Sequence, residues 1–164
     1  MMKHYLSLLA VCLLAGCSAG PQATESMPQT LRSNYQCDVP QAQAFPPLQT
    51  GADLVVNMRH LSQHAQARNF VAGQWLVRNG SLPERDRIGA CSTQILQASR
   101  QIIDAQYQAV YPTLNTQAQR DALKETITTW RAAMQGITPQ GVNDTSLSAF
   151  NTAADRLLSL LQPR

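Results

Sequence analysis

The chain has 164 residues, with 13 Lys and Arg against 10 Asp and Glu, for a formal net charge of +3. So small a surplus, on arginines scattered among acidic residues, argues against nucleic acid or an acidic polymer as partner. The length suits one compact domain plus a tether, and no GxSxG turn, phosphate-binding glycine loop or Cys/His nucleophile signature points to an enzyme.

The chain opens with Lys3 as a positive start and an apolar run from Tyr5 to Leu14, too short to span a bilayer as a helix. The run closes on Leu14-Ala15-Gly16-Cys17. Together these residues resemble the signal peptide and lipobox of bacterial lipoprotein precursors. The resemblance implies that residues 1–16 are removed and that Cys17 becomes the first mature residue, carrying lipid such as palmitate. In that family an aspartate after the cysteine marks inner-membrane retention. Ser18 stands there instead, which implies the outer membrane, with the domain facing the periplasm.

Four cysteines are present. Cys12 would leave with the signal and Cys17 would carry lipid, so Cys37 and Cys91 are expected to pair in an oxidising compartment. No CxxC arrangement suggests a redox role.

Residues 17–49 read as a lipidated tether and strap, punctuated by Pro21, Pro28, Pro40, Pro46 and Pro47, which resist helix formation. Its second half is expected to lie antiparallel along the first helix, with Val39, Phe45 and Leu48 packed on the domain. The disulfide would pin it at the end of the bundle opposite the start of that helix.

Residues 50–164 read as the helical domain. The first helix starts at Thr50-Gly51-Ala52-Asp53, a capping-box pattern, and ends at Asn79-Gly80, where glycine suits a left-handed stop. Leu54, Met58, Leu61, Ala65, Ala72 and Leu76 form its apolar face. The second starts at the capping box Ser81-Leu82-Pro83-Glu84 and carries the seam Ile88, Cys91, Ile95, Ala98, Ile102, Ala105 and Ala109 up to Tyr111-Pro112. The third opens at Thr116-Gln117-Ala118-Gln119 and buries Leu123, Ile127, Trp130 and Met134 before Gly136. The last opens at Asp144 or Thr145 and repeats Leu147, Phe150, Ala154, Leu157 and Leu161. Four such segments with short links predict an all-α antiparallel four-helix bundle preceded by an extended, disulfide-stapled N-terminal strap.

Chemistry-bearing residues are few. His60 and His64 stand four apart on one helix face, a spacing that can share a metal ion, but the motif lacks the glutamate of HExxH and the face continues to Arg68. Asp104, Asp121, Glu125 and Asp155 show no paired catalytic spacing and read as surface ion pairs. Phe70 and Trp75 fit the first helix's apolar face poorly, and with Arg78 they form the candidate partner groove.

The expected role is a non-enzymatic outer-membrane lipoprotein that binds or stabilises another cell-envelope protein, without a cofactor. Export signal, small helical bundle and disulfide together resemble, in general architecture, the pilotins that escort secretin pores. The alternatives are a periplasmic inhibitor or immunity lipoprotein, with the Ile137 to Asn143 loop inserted in a cleft, or a bundle binding a small ligand or metal.

Overall fold

The computed structural model describes residues 35–45, 48 and 50–162. The signal segment, Cys17 and the first half of the tether, with Pro21 and Pro28, lie outside the described residues, as do Pro46 and Pro47 in its second half. Four helices follow the strap: α1 (Gly51–Asn79), α2 (Leu82–Val110), α3 (Gln117–Gln135) and α4 (Asp144–Leu161). Short 3-10 turns occupy Ala42–Ala44 and Tyr111–Thr113. Among the described residues no helix is long and apolar enough to cross a membrane.

The all-α expectation needs one correction, because α3 and α4 are joined by an antiparallel hairpin rather than a plain loop. Its strands are β1 (Ile137–Thr138) and β2 (Gly141–Val142), with Ile137 opposite Val142 and Thr138 opposite Gly141. Gly141 has φ 150°, a backbone angle that a side chain disfavours. The hairpin sits on α1, since a Cβ at Gly73 would stand 2.2 Å from the Pro139 carbonyl oxygen.

Helix starts follow local hydrogen-bond chemistry. At α1, Thr50 Oγ1 accepts from the Asp53 N–H at 3.2 Å while Asp53 Oδ2 accepts from the Thr50 N–H at 2.8 Å. Thr116 and Gln119 form the same reciprocal box at α3, and Asn143 Oδ1 caps α4 by accepting from the Ser146 N–H. Each cap is worth about 1 kcal/mol. The box expected at Ser81 does not form, because Ser81 makes no side-chain cap bond and Glu84 is engaged elsewhere, by Trp75 and Arg87. Gly80 is also not left-handed, with φ −67°. Its small size is needed instead for a close approach, since a Cβ there would lie 2.6 Å from the Leu76 carbonyl oxygen.

The core joins all four helices through Leu54, Met58, Leu61, Ile95, Ile103, Leu123, Trp130, Phe150 and Leu157, all buried. Trp130 is its largest member. Its Nε1 donates to the Met58 carbonyl and to Ser62 Oγ, both at 3.1 Å, tying α3 to α1. Asn57 donates to Gln106 and Ser92 donates to Asn69, pairing early α1 with late α2 and the reverse. Thr126 Oγ1 donates to the Ala153 carbonyl, Arg156 pairs with Glu125, and Gln119 donates to the Leu160 carbonyl, relating α3 and α4 in opposite order. Arg59 to Asp155 and Arg131 to Asp104 add bridges at 2.6 and 2.5 Å. Such exposed ion pairs fix orientation more than they stabilise, at about 0–1 kcal/mol each.

The strap is fastened by the Cys37–Cys91 disulfide, with a Cα–Cα separation of 5.6 Å. Tyr35, buried beside it, donates its hydroxyl to Cys91 Sγ at 3.4 Å. Asp38 pairs with Arg68, and its carbonyl accepts from His64 Nε2 at 2.8 Å. Phe45 meets His60 edge to face, with ring centroids 5.7 Å apart. Rising strap numbers therefore meet falling α1 numbers. The expected pinning point is corrected, however: Asp38 meets Arg68, three turns before the end of α1 at Asn79. The 3-10 turn at Ala42–Ala44 interrupts the extended run expected of the strap. The last turns of α1 and the first of α2 lie beyond the contacts made by the described strap residues.

Candidate functional site

Among the described residues, this end of α1 and α2 concentrates exposed apolar side chains. Of the six large hydrophobic residues that are exposed among the described residues, five lie there or on the adjoining hairpin: Phe70, Val71, Val77, Leu82 and Val142. Val77 is 86% exposed, Leu82 75% and Phe70 68%. Large contiguous apolar patches are uncommon on the surface of monomeric proteins.

Phe70 and Val77 form one wall of a groove of about 520 Å³, with Gln66, Gly73 and Gln74 on the same side of α1. The opposite wall is the hairpin, from Thr138 to Val142. The geometry follows from three local causes. Gly73 lets the Pro139 carbonyl close on the helix. Ile137, buried, anchors β1 in the core. Thr138 Oγ1 donates to the Gly141 carbonyl at 3.2 Å and holds the turn. No charged side chain lines the groove among the described residues, so it offers apolar contact and carboxamide hydrogen bonds rather than acid-base chemistry.

The three residues expected to form the partner groove are separated. Phe70 lines it, whereas Trp75 is half-buried against α2 and donates its Nε1 to Glu84 Oε2 at 3.1 Å. Arg78 is exposed on the last turn of α1 and is not part of the lining. Two neighbouring arginines are engaged locally, Arg85 with the Gly80 carbonyl and Arg87 with Glu84. Glu84 thus receives both an indole N–H and a guanidinium.

His60 and His64 serve the strap, through Phe45 and the Asp38 carbonyl respectively. Among the described residues no group of three or more His, Cys, Asp and Glu side chains is placed to hold a metal ion. Asp104, Glu125 and Asp155 are each in a cross-helix ion pair, and Asp121 accepts from Gln117 with Lys124 at 3.9 Å. Lys124 also sits 5.4 Å from the Tyr111 ring centroid, and that tyrosine raises its pKa.

Sequence reasoning passed over Val77 and took Ile137 to Asn143 as a loop rather than a paired hairpin. The signal was Thr138-Pro139-Gln140-Gly141, with proline second and glycine fourth as a tight turn favours. Asp38 as the strap's clamp carried no local signal, because its partners lie 26 and 30 residues away. Comparison of the chain with protein-family models, with curated proteins and with solved structures finds no match.

Proposed function

We propose that this chain is a non-enzymatic, lipid-anchored protein of the outer membrane, facing the periplasm, that docks or stabilises another envelope protein. Its domain is an antiparallel four-helix bundle, a reading supported by the opposed order of the α1–α2 and α3–α4 contacts. Lipid at Cys17 holds the bundle at the membrane, and the tether gives it reach. The observation that carries the docking role is the exposed apolar wall of Phe70 and Val77 facing the hairpin. A peptide or helix of the partner would bury that wall, a mode that needs anchoring apolar side chains and no reactive group.

The inhibitor reading is weaker. A loop that enters a cleft should project freely, yet the Pro139 carbonyl lies against Gly73. Crosslinking in intact cells, followed by affinity purification and mass spectrometry, tests the docking role. An envelope-assembly component enriched with the wild-type chain and lost from both Cys17→Ser and Phe70→Ser supports it. A lytic enzyme or toxin retained by both variants overturns it in favour of inhibition. Labelled fatty acid entering the wild type but not Cys17→Ser checks the anchor separately, and equal incorporation rejects it.

A further inference from the structure

A second cavity, of about 620 Å³, lies between the strap and α2, on a different part of the domain from the Phe70 groove. Its size falls in the range of small-ligand sites, about 300–1,000 Å³. Val39, Pro40, Phe45 and Leu48 supply the strap wall, and Ile102 and Ala105 are central in the helix wall. The lining on α2 runs from Ala98 to Ala109, about 16 Å along the axis, so the space is an elongated trough.

Two carboxamides at the trough are each oriented by a hydrogen bond within the protein. Gln106 Oε1 accepts from Nδ2 of the buried Asn57 at 3.2 Å, which leaves the Gln106 N–H groups as donors for the cavity. Gln41 Nε2 donates to the Val39 carbonyl at 3.1 Å, which leaves Gln41 Oε1 as an acceptor. Lys, Arg, His, Asp and Glu are absent from its lining among the described residues. A charged group bound in this trough would find no counter-charge in the lining. A linear apolar chain ending in a hydroxyl or amide head would match the trough's length and its donor and acceptor.

We propose that the strap cavity binds an uncharged amphiphile, an acyl chain with a hydroxyl-bearing head. The disulfide and the Asp38 clamp to His64 and Arg68 hold the strap wall in place, so the site depends on the strap being fastened. This inference is independent of the docking groove and of lipid at Cys17.

The test uses photoaffinity labelling of the purified, oxidised full-length chain with a diazirine analogue of monolauroylglycerol, followed by peptide mapping. Labelling should saturate, be displaced by unlabelled monolauroylglycerol, and map to the strap and to residues 98–109. Ala105→Trp, which fills the trough, should cut labelling at least tenfold, whereas Ala149→Trp on the exposed face of α4 should not. Gln101→Glu, an exposed position that places a charge in the lining without loading the core, should weaken labelling several-fold even if Ala105→Trp disturbs the strap. The diazirine analogue of lauric acid should label at least tenfold less. Unsaturable labelling, a label mapped elsewhere, or labelling unchanged by both Ala105→Trp and Gln101→Glu overturns the proposal.

Discussion

Two helical glycines should respond to alanine with opposite signs. Gly73, in α1, would place its new methyl 2.2 Å from the Pro139 carbonyl oxygen, and ordinary contact begins near 3.4 Å. The hairpin must withdraw by about 1 Å, and over-packing of this kind costs about 1–3 kcal/mol. Removing glycine from a helix interior returns about 1 kcal/mol. The sum is a net destabilisation of up to about 2 kcal/mol, with the hairpin displaced. Gly89, in α2, has no atom within 4 Å of the point where a methyl would stand, so Gly89→Ala should stabilise by about 1 kcal/mol. Urea or thermal melts followed by circular dichroism will separate the pair, at about 3–5 °C per kcal/mol for a domain of this size. If Gly73→Ala proves as stabilising as Gly89→Ala, the hairpin does not rest on α1 and the groove loses its second wall.

Replacing both Cys37 and Cys91 with serine should cost about 4 kcal/mol in the chain-entropy account for a separation of 54 residues, read as a lower denaturant midpoint than the oxidised wild type. Trp130→Ala should cost about 3–5 kcal/mol by equilibrium unfolding, and Trp130→Phe less, because the phenyl ring keeps most of the packing while losing the bonds to Met58 and Ser62. Burial pushes the Tyr35 phenol above its ordinary value, with Arg68 and Arg87 pulling weakly the other way. A group raised in the folded state contributes fully below its unfolded pKa near 10, so that contribution should be lost as pH rises from there, and Tyr35→Phe should flatten the alkaline fall in stability. Phe70→Ser should leave the melting curve within about 0.5 kcal/mol of wild type, as expected for a side chain that is already exposed.

Much of the helical plan was legible because amphipathic spacing and caps act locally. Thr50 with Asp53 and Thr116 with Gln119 close the boxes their spacing foretells. The seam of α2 is buried at Ile88, Cys91, Ile95 and Ile102 but exposed at Ala105 and Ala109, because those two alanines face the strap across a trough. The two histidines illustrate the limit on function. Their spacing matches a metal pair, yet the residues that occupy them, Asp38 and Phe45, come from a strap whose path depends on tertiary contacts. Trp75 was equally ambiguous, since its indole N–H is satisfied by Glu84 across the helix turn and periodicity cannot report that partner. Conversely, Ser62, Asn57 and Asn69 interrupt the apolar pattern of α1, and each is buried because a neighbouring helix supplies its hydrogen bond.

The most direct test of the docking account places a photo-crosslinking phenylalanine analogue at position 70 in living cells, with position 149 on the outer face of α4 as control. The account predicts an adduct with a single envelope protein from position 70, none from position 149, and loss of the adduct when Val77→Asp is added. No adduct at position 70, or the same adducts from both positions, would contradict it.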